Sequence, residues 1–412
     1  MPAPPDTALQ QEIVGFKCPQ CGATTAFSAA DKGLTCTHCG YYEAPQKAVV
    51  GKTAKQLEFT TDALKREALP EFNTSDDSSF VKTTRKELSC QSCGALTSIP
   101  LDSLAHTCPF CGSNNVIQRQ EPHDLLQPRF LIPFKILSSD CLEISRNWLG
   151  SSWITPTNLH NLANVNSFSG IYLPFWTFHA ITRAQWKAEV GHIKRERYFD
   201  NGEWRERTVV EWHWESGNVR LNIEDLLVPG TSRLSKLILS GIKNFDLNEL
   251  APYEPSYLAG LQAQAYDIPL EQAWDTGRAE MREKTRQTCL SQASNTQVRN
   301  FSMNLDFADE SWRYVLLPVY LTNFMYDKQS YQVMINGQNG EIAGQRPADW
   351  NKVWLVIAVL LAPGLLLGLL GLITIPVGGL GVGIGIFGFI LLIIGLVISF
   401  ILYNKAQSID DI

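Results

Sequence analysis

The chain has 412 residues and a formal net charge of −6, so it is long enough for two or three folded units and carries no basic excess that would attract nucleic acid. Its apolar residues are concentrated at one end: residues 353–403 contain no Asp, Glu, Lys, Arg or His. The first 17 residues have neither an apolar core nor a basic start, so we expect no secretory signal peptide. In a reducing cytosol, paired cysteines favour metal binding over disulfides.

Eight of the ten cysteines form four CxxC pairs, arranged as two modules over residues 16–43 and 88–115. In both modules 14 residues separate the second cysteine from the third, which indicates an internal repeat. Four thiolates in this pattern suit tetrahedral zinc, so we predict two zinc ribbons and two Zn²⁺ per chain. The predicted ligands are Cys18, Cys21, Cys36 and Cys39 in the first module, and Cys90, Cys93, Cys108 and Cys111 in the second. Cys141 and Cys289 are expected to be buried free thiols.

Between and after the ribbons, the sequence predicts a linker at 44–87 and an α+β body at 128–347 that is rich in antiparallel strands. A tight hairpin turn is expected at Asp200–Gly202, and the alternation along 210–215 predicts one buried and one solvent-facing side. The remaining predicted elements are helices at 139–149, 232–243 and 269–294 and strands within 171–215, 314–326 and 331–335.

Two stretches, 353–373 and 382–402, have the length and composition of transmembrane helices, with a turn between them that contains Pro376. Trp350, Trp354 and Tyr403 suit an aromatic belt at one interface. Lys and Arg flank the pair and the turn is uncharged, so we expect both chain ends in the cytosol. Small-residue spacing within the spans also allows a homo-oligomer through the helices, at Gly364 and Gly368 and at Gly381 and Gly385.

Catalytic motifs are sparse. Gly51-Lys52-Thr53 resembles the end of a phosphate-binding loop, but the leading glycine of that motif would fall at Gln46, which excludes it. His213 lies between Glu211 and Glu215 on one predicted strand, with His179 and His192 on a neighbouring segment. These residues leave a hydrolase as a distant alternative to a non-enzymatic protein.

Four segments, GIYLPFWTFHA (170–180), PYEPSYLAGLQAQAY (252–266), RYVLLPVYL (313–321) and INGQNGEIAG (335–344), combine with the tandem ribbons and the apolar hairpin. In this combination the chain resembles bacterial membrane proteins labelled TFIIB-type zinc ribbon-containing protein, some of which carry the label primosomal protein N′ (replication restart helicase). The sequence has no Walker motif, so the helicase label implies no motor activity here. Some similar proteins are associated with phage-shock protein A and SPFH-type membrane scaffolds in envelope stress, which implies an adaptor role.

The leading hypothesis is therefore a non-enzymatic adaptor at the bacterial inner membrane, anchored in the bilayer by two spans and binding cytosolic or membrane-associated proteins. The main alternative is a membrane-tethered protein that binds nucleic acid. Charge disfavours this alternative, because residues 1–115 contain ten Lys and Arg against twelve Asp and Glu. The second ribbon, 88–115, contains no Lys or Arg at all.

Overall fold

A computed structural model gives the architecture of the chain. It describes residues 16–54, 56–58, 85–100, 108–111, 113, 115–118, 128–156, 159, 168–200, 202–327, 329–374 and 380–410. The described part is α+β, as predicted, and most of its strand pairs are antiparallel. The strands are β1 (Thr25–Ser28), β2 (Gly33–Cys36), β3 (Tyr42–Glu43), β4 (Leu57–Glu58), β5 (Arg85–Cys90), β6 (Leu96–Pro100), β7 (Val116–Gln118), β8 (Phe130–Leu131), β9 (Ser169–Asp200), β10 (Glu203–Pro229), β11 (Ala251–Pro252), β12 (Gln262–Gln264), β13 (Val298–Tyr326), β14 (Gln329–Asn336) and β15 (Ile342–Gly344). The helices are α1 (Ser138–Gly150), α2 (Lys236–Ser240), α3 (Leu270–Gln292), α4 (Trp350–Thr374) and α5 (Leu380–Asp410).

Three long strands dominate the body. β9 is central and pairs antiparallel with β10 on one side and β13 on the other. β9 has 32 residues, so at about 3.3 Å per residue it spans roughly 100 Å. The β9–β10 turn lies at the predicted position, and Gly202 has the positive φ (87°) that such a turn requires.

The half of this sheet nearest the start of β9 is covered on both faces. On one face Tyr172, Trp176 and Tyr314 pack against α1 and α3. On the other face Phe175, Leu317 and their neighbours pack against α2 and the residues that follow it. Burial on both faces explains why residues 171–178 read as a nearly continuous apolar run.

The outer half of the β9–β10 hairpin differs from the prediction made for residues 210–215. Neither side is buried: Val210 and Trp214 are 39% and 55% exposed, and His213 on the opposite face is also exposed. The expected buried face is wrong because α3 ends at Gln292, beside Trp186, and no other described element covers the sheet beyond that point. The alternation of apolar and polar residues at 210–215 therefore belongs to a strand with both faces exposed to solvent.

Several other element boundaries also differ from the predicted ones. The helix at 270–292 agrees with prediction, but only Lys236–Ser240 of the segment predicted as helix at 232–243 is α-helical. β13 begins 16 residues earlier than expected, at Val298, because its polar first half pairs with the polar part of β9. Asp140 lies in the first turn of α1, and the residue at the cap position is Leu137.

The C-terminal helices α4 and α5 are long and apolar enough to cross a membrane. Only 11% and 17% of their most apolar windows are buried, so they are unlike the core helices of a soluble protein. They pack closely on each other: a Cβ added at Gly371 would lie 2.6 Å from the Gly385 Cα, and one added at Gly388 would lie 2.5 Å from the Gly368 nitrogen. Part of the glycine pattern therefore serves packing within the hairpin.

The base of this hairpin is attached to the body. Val353 and Ile357 of α4 pack on Ile154, in the loop after α1. The Asp349 backbone N–H donates to the Ile154 carbonyl at 2.8 Å, and Lys352 Nζ donates to the Thr155 carbonyl at 2.8 Å. Trp350 and Trp354 both lie against Tyr403, with ring centroids 5.6 and 6.3 Å apart, as an interfacial aromatic cluster would.

Candidate metal centres

The eight predicted cysteines converge as two groups of four. In each group the sulfur atoms all lie within 4.8 Å of one another, an arrangement that could hold a metal ion. In the first group the Cys18 and Cys39 sulfurs are 3.4 Å apart and those of Cys21 and Cys36 are 3.5 Å apart. In the second group the corresponding distances, Cys90 to Cys111 and Cys93 to Cys108, are both 3.6 Å.

These distances suit a tetrahedral ion. With Zn–S bonds near 2.3 Å, a regular tetrahedron places its sulfurs about 3.8 Å apart. The observed sulfur–sulfur distances of 3.4–3.6 Å lie just inside that value. A donor set of thiolates only is typical of structural zinc, which supports zinc without identifying the metal.

Each cysteine pair lies on a tight turn that repeats through both modules. The N–H of Gly22 donates to the Cys18 carbonyl at 2.8 Å, and the same bond recurs from Gly40 to Cys36 and from Gly94 to Cys90. All three glycines have φ between 71° and 75°, in the left-handed region that side chains disfavour. Gly112, which follows the fourth pair, lies outside the described residues.

The turns also direct backbone N–H groups at sulfur. In the first module the N–H groups of Cys39 and His38 lower the pKa of Cys36 to about 6. In the second module burial opposes ionisation of Cys90, but the N–H groups of Cys93 and Ser92, together with hydrogen bonds from the Cys111 and Cys93 thiols, lower its pKa to about 7. In each module the N–H groups of the turn thus favour the thiolate form of one cysteine, which is the form that binds metal.

The two modules differ in their surroundings. The first forms its own three-stranded sheet, β1-β2-β3, and touches the body through Phe27, whose ring lies 5.2 Å from that of Tyr257 and whose N–H donates to the Ala259 carbonyl. The second contributes β5, β6 and β7 to the twelve-stranded sheet, with β6 paired to β12. Its Cys90 and Cys108 belong to the same buried cluster as Phe175.

Arg233, in the loop before α2, contacts the second module, and the sequence analysis did not predict this contact. Its guanidinium donates to the Cys93 carbonyl at 2.7 Å and to the Asp267 carboxylate at 3.1 Å. A filled four-thiolate zinc centre carries a formal charge of −2, and Arg233 places a cation beside it. Since Arg233 lies 140 positions after Cys93, no local spacing in the sequence could reveal this contact.

Part of the region predicted as linker is tied to the body. The backbone N–H groups of Gln46 and Lys47 donate to the Glu254 carboxylate at 3.2 and 2.6 Å, and β4 pairs with β13. Residues 59–84 of the linker lie outside the described part of the chain.

His192, Glu215 and Ser294 lie together but not in the arrangement of a serine triad. His192 Nε2 lies 3.4 Å from Glu215 and 3.3 Å from Ser294 Oγ, and Ser294 donates its hydroxyl to Glu215. In a serine triad the acid and the serine occupy opposite ring nitrogens, whereas here both lie at Nε2. His213 lies on the surface with its Nε2 3.8 Å from the Glu211 carboxylate. His179 lies apart from both, and its buried Nδ1 has no hydrogen-bond partner among the described residues.

The two remaining cysteines are buried, as predicted. Cys141 lies in α1 and donates to the Leu137 carbonyl, and burial raises its pKa to about 12. Cys289 lies in α3 with its sulfur 3.8 Å from that of Met303, and burial raises its pKa as well. Both thiols are therefore protonated packing residues at neutral pH.

Comparison with known proteins finds a relative that is similar over most of the chain but assigns no activity. No family model matches the chain, and no solved structure matches it. The chain is similar to the uncharacterized protein YdjG of Bacillus subtilis (strain 168), at 25% identity over 347 residues. That similarity covers 83% of this chain and 92% of the relative.

Proposed function

We propose that this chain is a non-enzymatic adaptor anchored in the bacterial inner membrane, which uses its soluble body and two zinc ribbons to bind cytosolic or membrane-associated proteins. The observation that carries the proposal is the direct attachment of the membrane hairpin to the body through Val353, Ile357 and Ile154. A body held in this way stays close to the bilayer, where it can bring partners together.

Zinc in both four-cysteine groups is part of the proposal, with Cys18, Cys21, Cys36 and Cys39 holding one ion and Cys90, Cys93, Cys108 and Cys111 the other. The ions would stabilise the modules and take no part in a reaction. Purified protein should contain about two equivalents of zinc by elemental analysis, with iron in its place as the contradicting result.

Protein partners are favoured over nucleic acid by the charge of the ribbon region. Residues 88–115 contain no Lys or Arg, and Arg233, which lies beside their first cysteine pair, is already bound to Cys93 and Asp267. A phosphate backbone needs several free cations. The first ribbon exposes the apolar ring of Tyr42 at 47%, and β7, directly after the second ribbon, exposes Ile117 at 50%; both suit contact with a protein.

The resemblance to TFIIB-type zinc ribbon-containing membrane proteins gives further support. Some of those proteins are associated with phage-shock protein A and SPFH-type scaffolds, which suggests membrane-stress assemblies as the setting here. The partner would then be another protein of the membrane surface.

Topology is the first test. A reporter that fluoresces only in the cytosol should be bright when fused to either end of the chain, because the flanking Lys and Arg favour the cytosolic side. A bright N-terminal and an expressed but dark C-terminal fusion would indicate a single span and would contradict the two-span anchor.

Nucleic-acid binding is the second test, done with the full-length protein in detergent because the second ribbon shares its core with the body. Titration with single- and double-stranded DNA and RNA at low and physiological salt should give no saturable binding. Micromolar binding that weakens steeply with salt would replace the adaptor by the nucleic-acid alternative.

A further inference from the structure

The β9–β10 hairpin has a long open edge. Among the described residues β10 pairs with β9 alone, and the sheet register from Glu203 to Ile223 contains neither a bulge nor a proline. Regular edges of this length present unpaired backbone N–H and C=O groups, and proteins usually interrupt or cover them. An uninterrupted edge is a site for addition of another strand.

The outer part of the β9–β10 hairpin has only two described strands and exposes apolar side chains. Beyond the pair Val190↔Val298, β13 no longer accompanies β9, so within the described part of the chain residues 191–200 and 203–212 form a ribbon of two strands. Ile193, Phe199 and Trp204 on this ribbon are 61%, 62% and 72% exposed. A two-stranded ribbon is marginally stable in water by itself, and a further strand would stabilise it.

We propose that β10 pairs antiparallel with β10 of a second copy of this chain, across a two-fold axis at Val209. The two hairpins would then form one continuous sheet. The partner is identified by the charge pattern of the strand itself.

Charge beside Val209 is complementary to its own reverse, since on one face Arg207 precedes Val209 and Glu211 follows it. Further from the axis the same register places Arg205 opposite His213 and Glu203 opposite Glu215. Antiparallel pairing about Val209 places Arg207 opposite Glu211 of the second copy, and the reverse, whereas parallel pairing would place like charges side by side. Residues 192–212 contain five cationic and five acidic side chains, so two ribbons can approach without net repulsion.

The backbone fits the same register. Gly191 N–H points away from β10, since it donates to the Gln297 carbonyl at 2.9 Å. Strand alternation then directs the N–H groups of Thr208 and Val210, which lie on β10, outward to the open edge. With the axis at Val209, each Thr208 faces Val210 of the second copy in a hydrogen-bonded pair. On the aromatic face the same register places Trp204 opposite Trp214 of the second copy.

The first test measures the mass of the full-length protein in lipid nanodiscs or detergent over a range of concentrations, by light scattering. We expect a dimer. Thr208→Pro removes an outward N–H without touching the hydrogen bonds to β9, and should give a monomer with an unchanged circular dichroism spectrum. Thr208→Val keeps the N–H and should remain a dimer.

The second test exchanges charge. Arg207→Glu and Glu211→Arg should each weaken self-association about tenfold, because both pairs across the axis become like-charged. An equimolar mixture of the two variants should restore the dimer, since the substituted chains then oppose unlike charges. This rescue separates contact between chains from effects within one hairpin, where Arg207 also binds Glu196 and Glu211 binds Lys194.

Three results would overturn the proposal. One is a wild-type protein that stays monomeric at all concentrations. Another is a dimer that Thr208→Pro leaves intact and that a bulky substitution at Gly368 abolishes, which would place the interface in the membrane. The third is a mixture of charge variants that associates no better than either variant alone.

Discussion

The two four-cysteine modules have the same spacing and the same turns, yet they occupy different positions in the molecule. The first has its own small sheet and contacts the body mainly through Phe27, while the second gives its strands to the large sheet and its Cys90 and Cys108 to the core. Identical local chemistry therefore has unequal consequences. Loss of metal from the first should be a local event, and loss from the second should disturb the body.

The largest expected effect comes from removing ligands in matched pairs. Cys90→Ser with Cys93→Ser should lower zinc content from about two equivalents to one and destabilise the body by at least about 4 kcal/mol, since a metal-bound core element is lost. Cys18→Ser with Cys21→Ser should also lose one equivalent but change the unfolding of the body by less than about 1 kcal/mol. Zinc analysis and denaturant unfolding measure both. Equal destabilisation by the two double variants would contradict the proposed difference.

A chelator should separate the two centres kinetically. Cys21 and Cys39 of the first are both exposed, whereas in the second only Cys111 is. We expect release in two phases, with the first module emptying about tenfold faster, which corresponds to about 1.4 kcal/mol in local opening. A colorimetric zinc indicator follows the release, and the double-serine variants assign each phase. A single phase in the wild type would remove the distinction.

Arg233 offers a finer test of the second module. Arg233→Ala removes the donor to the Cys93 carbonyl and should speed release of the second zinc several-fold, equivalent to about 1 kcal/mol, while the first phase stays unchanged. Arg233→Lys keeps the charge without the planar fork that joins Cys93 to Asp267, and should give an intermediate rate. Acceleration of both phases would mean that Arg233 acts on the whole fold.

The smallest effect is the difference between two equivalent glycines. Gly22→Ala and Gly94→Ala each force a side chain into the left-handed region, at a cost of roughly 1 kcal/mol. A Cβ at Gly22 meets open space, but at Gly94 it would lie 3.3 Å from Arg233 nitrogens. Gly94→Ala should therefore cost a few tenths of a kcal/mol more, as measured by zinc affinity. Equal affinities would mean that the Arg233 side chain moves away freely.

Features encoded in short spacing were predictable. The eight cysteines, the hairpin turn at Gly202 and the two apolar spans each follow from patterns within a few tens of residues. Features that depend on distant pairing were not. Arg233 contacts Cys93 across 140 residues, and the first half of β13 is too polar to suggest a strand until its partner in β9 is known. The prediction of a buried face at 210–215 was wrong because alternation of apolar and polar residues specifies a strand but does not specify whether another element covers it.

The arrangement of the long strands also sets an order of assembly. β9 and β10 are consecutive and can pair as soon as both are synthesised, but the β13 residues that flank β9 lie roughly 110–150 positions later. Protein synthesis proceeds at about 5–20 residues per second, so the edge of β9 that pairs with β13 stays unpaired for some 5–30 s during translation. β13 ends at Tyr326 and α4 begins at Trp350, so closure of the sheet nearly coincides with synthesis of the apolar helix pair. During that interval a nascent chain would expose apolar strand surface, and folding chaperones would be most needed then.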